Sequence, residues 1–179
     1  MKGIIFTEFL DMVELRFGYE TVDSIIESSK LESKGIYTSV GTYHHSEIVQ
    51  LLMNLSDSTK TDPMALLKAF GEYLFDTFLK VYPQFFNEHD NAFDFLESID
   101  SHIHVEVLKL YPDATLPKFV TEKSDDGTMK MYYKSERKMS ALAEGLIEKS
   151  ISYYKHPHTI SKELIVADGS EVLFVINRD

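Results

Sequence analysis

The chain of 179 residues contains no cysteine. That absence removes disulfide frameworks, thiolate nucleophiles, zinc fingers and cysteine-ligated iron–sulfur clusters, and leaves nitrogen and oxygen to hold any metal. No apolar run reaches the length of a membrane span. The opening MKGIIFTEFLDMVELRF is interrupted by Glu8 and Asp11 and is followed by no small-residue cleavage site, so it does not read as a signal peptide. The expected location is the cytoplasm. Positive charge is scarce: 18 Lys and Arg stand against 29 Asp and Glu, a net charge of -11. Such a surface repels nucleic acid and anionic lipid, and suits a protein partner with a basic face. No linker rich in Gly, Ser or Pro and no internal repeat divides the chain, so one domain over 1–179 is expected. Catalytic signatures are missing too. There is no HExxH, no phosphate-cradling glycine loop and no Ser-His-Asp pattern, and the chain is not expected to be an enzyme.

What is present divides into two compositional halves. Up to about residue 111 the apolar pattern is helical. Ile5, Phe9, Val13 and Phe17 recur at i+4, and Thr21 to Ser28 reads as a short second helix. Ser46 is placed to cap EIVQLLMNLS, and Asp62-Pro63 opens a helix that stops before Pro83. Phe93 to Tyr111 reads as one long amphipathic helix. After Tyr111-Pro112 the pattern changes. Asp126-Gly127 and Asp168-Gly169 each sit between β-favouring runs, a hairpin signature, with a helix from Ser140 to Tyr154 between them. The expected fold is α+β: a helical part, about 1–111, packed on a smaller part with an antiparallel sheet and helices, about 112–179.

On a helical wheel of FDFLESIDSHIHVEVLKLY, at about 100° per residue, Leu96, Ile99, Ile103, Val107, Leu108, Leu110 and Tyr111 share one sector. His104 falls in it. His102 falls opposite, near Ser98, Glu106 and Lys109, where it should be solvated. An inward neutral imidazole is either a metal ligand or a core histidine bonded to a carbonyl. Glu97 and Asp100 lie near His104 on the wheel, at the cleft edge or orienting local groups. The pair His44-His45, His89 in a polar loop, and His156 and His158 in an expected turn read as surface residues.

Tyr133, Ser135 and Arg137 follow at i, i+2 and i+4 between a strand and a helix. On an extended segment the three side chains leave one face. Two hydroxyls and a guanidinium fork suit a carboxylate or phosphate. The alternative is a Ser135 helix cap beside a surface arginine.

Together these elements resemble the H-NOX family, the haem nitric oxide/oxygen binding domain related to the haem domain of soluble guanylate cyclase. The resemblance runs from MKGIIF through Phe70-Gly71 and Phe78 to IDSHIHVEVLKLYPDATLPKF, YYKSERK and Gly145-Leu146-Ile147. A histidine followed seven residues later by Tyr-Pro selects His104, and the YxSxR motif is intact. The resemblance implies a haem b held between the two parts, with His104 as proximal iron ligand. It also implies that Tyr133, Ser135 and Arg137 hold the propionates and that Pro117 presses on the porphyrin.

The same resemblance places the distal pocket. Oxygen-binding members carry a tyrosine five residues beyond the motif arginine; here that position is Leu142. The companion polar position is Leu74, and Ile5, Phe9, Phe78 and Leu146 add apolar lining. Tyr73 sits one position off and should face elsewhere. Dioxygen gains from a hydrogen-bond donor and nitric oxide depends on one much less. The expected ligand is therefore nitric oxide, with carbon monoxide as a second. The output is expected to be release of His104 and contact with a separate protein, such as a histidine kinase or a cyclic-di-GMP enzyme. Oxygen binding, haem storage and a haem-free interaction module are the alternatives.

Overall fold

The computed structural model describes residues 1–155 and 157–178; His156 of the expected turn lies outside them. Among the described residues there are eight α-helices, one π turn and four strands. Helix α1 (Gly3–Phe17) buries Phe6, Phe9, Met12 and Val13 along one side and ends at Gly18, φ 87°. Helix α2 (Tyr19–Glu27) starts two residues ahead of the expected Thr21. Helix α3 (His45–Thr59) is capped by His44 and not by Ser46: the His44 Nδ1 accepts from the Ser46 amide at 3.3 Å. An imidazole nitrogen thus does what a serine oxygen does at other N-caps.

Helix α4 (Pro63–Val81) opens as the sequence indicates, with the Asp62 carboxylate accepting from the Ala65 amide at 2.9 Å. Pro83 ends nothing alone; it is also the first residue of a short helix α5 (Pro83–Asn87). A first-turn proline lacks only an N–H that would have no helical partner. The stretch read as one regular helix is broken in character. Helix α6 (Ala92–Ser98) runs into a π turn over Ile99–Ile103, and α7 (His104–Leu110) follows without a gap. The His104 amide donates to the Ile99 carbonyl, a wider ring than the α-helical one.

The second half forms one antiparallel sheet. Strands β1 (Lys118–Lys123) and β2 (Thr128–Lys134) make the first hairpin, with Gly127 at φ 84° in its turn. Helix α8 (Ser140–Tyr153) carries the chain across to β3 (His158–Leu164) and β4 (Glu171–Arg178), in the order β1-β2-β4-β3. His158 is therefore the first residue of a strand, paired across from Arg178, and not part of the turn. Alternation buries Met129, Met131 and Tyr133 of β2 with Val172, Phe174 and Ile176 of β4. Register sets Tyr133 between Phe119 and Val172.

Two apolar cores result. The first joins α1 to α4 through residues such as Phe6, Phe9, Leu51 and Phe70. The second lies between the inner face of the sheet, α6 and α8. Each fully buried large side chain stabilises by about 1.5–3 kcal/mol, against about 0–1 kcal/mol for an exposed ion pair, so the cores dominate. One buried carboxylate ties a loop to them: Glu47 accepts from Tyr37 Oη at 2.7 Å and from Ser33 Oγ at 2.5 Å.

Candidate functional site

A cavity of about 290 Å³ lies at the seam of the two cores. Ile4 and Ile5 from α1, Leu74 and Phe78 from α4, and Leu142 and Leu146 from α8 form part of its apolar wall. His104, Val107, Pro117 and Phe119 line it as well, as do Tyr133, Ser135 and Arg137. Residues assigned from three distant stretches of sequence thus meet on one surface. Phe9 is not among the lining residues of this cavity: it is fully buried and packs edge-on against Phe70 at 5.2 Å. The i+4 row of α1 divides, Ile5 to the cavity and Phe9 to the first core. Tyr73 also stays out of the lining and packs against the first core.

His104 is largely buried, with 16% of its side chain exposed, whereas His102 is 45% exposed and pairs with Glu88. The Nδ1 of His104 lies 3.2 Å from Asp100 Oδ1. A carboxylate only accepts, so Nδ1 carries the proton and Nε2 keeps its lone pair for another partner. Burial pushes the His104 ring below the ordinary imidazole range and outweighs the opposing pull of Asp100. The neutral ring that results is the form that binds a metal. Glu97, the other acidic candidate, turns away to Lys123 Nζ at 2.6 Å. Leu108, grouped with the inward face on the regular wheel, is 41% exposed and does not line the cavity. His44 and His45 also lie off the lining, their rings 4.7 Å apart.

The Tyr133, Ser135 and Arg137 side chains all reach the cavity, but only Tyr133 is on a strand. β2 ends at Lys134, and Ser135 is held by its amide on the Ser170 carbonyl at 2.9 Å. The Ser135 hydroxyl accepts from the Arg137 amide at 3.2 Å and the Tyr133 hydroxyl from the Met139 amide at 3.0 Å. The two hydroxyls also lie within hydrogen-bonding reach of each other. The Arg137 guanidinium donates to the Thr115 carbonyl. Among the described residues no carboxylate lies within ion-pairing distance of it. Burial lowers its pKa, yet an arginine stays charged at neutral pH.

Further lining residues carry no role expected from the sequence. Lys2 and Tyr111 close one edge, with the Lys2 Nζ 5.2 Å from the Tyr111 ring centre and 3.2 Å from Asp113 Oδ1. Tyr82, just after α4, and Phe119, two residues past Pro117, also line the cavity. Tyr-Pro at Tyr82 and the alternation after Pro117 were the only local signs of them.

The donor set fits a flat apolar group with a metal at its centre and anionic substituents at one edge. Among the described residues no cluster of three His, Asp or Glu side chains suits a metal, so a metal at His104 needs ligands brought with it. An arginine with no carboxylate partner, beside two hydroxyls, fits carboxylates. No helix among the described residues is long and apolar enough to cross a membrane.

Comparison with known proteins agrees. Residues 2–162 match the haem-NO-binding (HNOB) family. No curated protein matches the chain. Among solved structures, an Fe(II) unliganded H-NOX protein from K. algicida is similar at TM-score 0.96 and 47% identity, covering 100% of this chain and 97% of that one. The IWP-051-bound H-NOX from Shewanella woodyi, in the Fe(II)CO state, gives 0.84 and 42%, covering 100% and 95%. An H-NOX protein from S. oneidensis in the Fe(II)NO state gives 0.92 at 24%, a likeness of fold, covering 100% and 99%. The cavity, the α+β architecture and these matches lead to one conclusion: the chain belongs to the H-NOX, or haem-NO-binding, family of haem-based gas sensors.

Proposed function

We propose that residues 1–179 act as one cytoplasmic sensor domain that binds haem b with His104 as the protein ligand to iron. In this reading it responds to nitric oxide, takes carbon monoxide as a second ligand, and signals by contact to a separate protein. The observation that carries the proposal is the joint placement of His104 and Arg137 on one apolar cavity: a neutral imidazole and an unpaired cation. Ferrous haem, when bound, supplies the position at which a diatomic gas binds.

The chain's own residues do the rest. His104 would hold the iron through Nε2. Arg137 would take a propionate, with the Ser135 and Tyr133 hydroxyls beside it as further hydrogen-bonding groups. Pro117 would lie against the haem. Ile5, Leu74, Phe78, Leu142 and Leu146 exclude water and offer no hydrogen-bond donor, which favours nitric oxide over dioxygen. The 42%-identical relative from Shewanella woodyi, solved in the Fe(II)CO state, supports carbon monoxide as a ligand. Without its hold on the cofactor, His104 would leave α7 free to relax and the two parts of the molecule free to shift, a two-state element biased by ligand. A histidine kinase or a cyclic-di-GMP enzyme with a basic face suits the net charge of -11.

The test is the visible spectrum of the purified ferrous protein with and without each gas. A Soret band that shifts with nitric oxide and not with air is expected. Absence of a Soret band overturns the haem reading, and a stable oxygen complex overturns the gas assignment. His104→Gly should keep haem only with added imidazole; an unchanged axial-ligand spectrum overturns the role of His104.

A further inference from the structure

Asp100 does not line the cavity, yet it touches the residue that matters most there. Its Oδ1 faces two donors at once: His104 Nδ1 at 3.2 Å and the Phe119 backbone amide at 3.3 Å. The first partner is on α7 and the second is at the start of β1. Asp100 itself sits in the π turn, immediately ahead of the helix it supports. The Phe119 ring, two residues past Pro117, lies 5.9 Å from the His104 ring. One carboxylate oxygen therefore joins three segments: the π turn, the proposed ligand, and the strand entered through Pro117.

We propose that Asp100 is a positioning residue for His104, fixing its ring through Nδ1 and tying the ligand helix to β1 through the Phe119 amide. This rests on the reading of His104 as the iron ligand. A carboxylate behind a ligating imidazole orients the ring, fixes its tautomer and raises the basicity of the nitrogen facing the metal. The Asp100 side chain is 38% exposed, so solvent screens its charge and the hydrogen bond's geometry and donor–acceptor character carry the effect. The shared oxygen adds a second consequence. When His104 moves, the acceptor that holds the Phe119 amide moves with it, so displacement at the ligand reaches the Pro117 segment without passing through the cavity lining.

The experiment uses Asp100→Ala and Asp100→Asn in the haem-loaded protein, read by resonance Raman in the ferrous state and by amide hydrogen exchange. In Asp100→Ala the iron–histidine stretch should fall in frequency, haem transfer to a scavenger should quicken by about tenfold or more, and the Phe119 amide should exchange faster. Asp100→Asn keeps a neutral acceptor, so its stretch should fall by less and its Phe119 exchange should stay near wild type. If Asp100→Ala does not fold, the smaller shift in Asp100→Asn still decides. A wild-type protein with no iron–histidine band overturns the ligand reading and this proposal together. A wild-type band that neither variant moves overturns this proposal alone, even if stability or exchange changes.

Discussion

Gly71 on α4 and Gly145 on α8 stand backbone to backbone: a Cβ on Gly71 would lie 3.1 Å from the Gly145 Cα and 2.2 Å from the Leu142 carbonyl oxygen. A Cβ on Gly145 would meet the Lys68 carbonyl oxygen at 2.0 Å. Neither obstacle is the tip of a flexible side chain, so the helices themselves must part. Leu74 lies three residues beyond Gly71, and Leu142 and Leu146 flank Gly145, so this crossing sets where part of the apolar cavity wall stands. Gly145→Ala is expected to lower stability by about 1–3 kcal/mol, read as a lower urea midpoint. It should also alter carbon monoxide rebinding kinetics. Wild-type stability and kinetics in the variant would show that the contact is not what holds the wall.

Leu142 lines the cavity, and in the proposed reading it is the position whose apolar side chain disfavours dioxygen. Leu142→Tyr places a phenol at this cavity-lining position. The variant is expected to form an oxygen complex in air that the parent does not, measured by its visible spectrum against the ferrous baseline. If the variant stays indifferent to oxygen, polarity at this position does not choose the gas.

Glu144 joins α8 to α4 and β3 through Lys68 and Lys162. Burial pushes its carboxyl up, but the hydrogen bonds from Lys162 and Lys68 outweigh it and hold the group below the ordinary glutamate value of 4.5. A depressed folded-state pKa means that the unfolded chain takes up this proton first. The stability it contributes is therefore full above about pH 4.5 and is lost as pH falls through the lower folded value. Urea midpoints measured from pH 7 downward should drop on this acid limb. Glu144→Gln should start lower and fall less steeply there, and a parallel curve would count against the assignment.

Much of this was legible in the chain. Asp62-Pro63 opens α4 because a carboxylate can cap and a proline can stand at the first helical position. Asp126-Gly127 and Asp168-Gly169 mark the hairpins because their turns call for left-handed backbone, which Gly127 and Gly169 supply at φ 84° and 78°. The sector containing His104 was visible because apolar spacing reports burial directly. What stayed hidden depends on tertiary context. A wheel shows the inward sector but not which of its flanks meets solvent, and Leu108 lies on the flank that does, 41% exposed. Phe9 and Ile5 share an i+4 row, and only the packing of α4 against α1 decides which meets the cavity. His44 as a cap depends on which ring nitrogen is turned to the Ser46 amide, and Asp100 acquires its second partner, Phe119, from a segment nineteen residues away.

The π turn at Ile99–Ile103 also constrains the length of the chain. Phe95 and Leu96 before it and His104 and Val107 after it line the same cavity. The wide turn takes up one residue more than an α-helical turn would, so deleting one residue there can be absorbed by a return to about 3.6 residues per turn with His104 still on the cavity side. A second deletion, or a further insertion, exceeds what one turn can absorb and would swing α7 by about 100° about its axis. Substitutions can accumulate in this stretch, but a length change of more than that one residue cannot do so silently. A longer gap between Ile99 and His104 in an alignment of relatives would therefore mark a protein that presents its histidine differently.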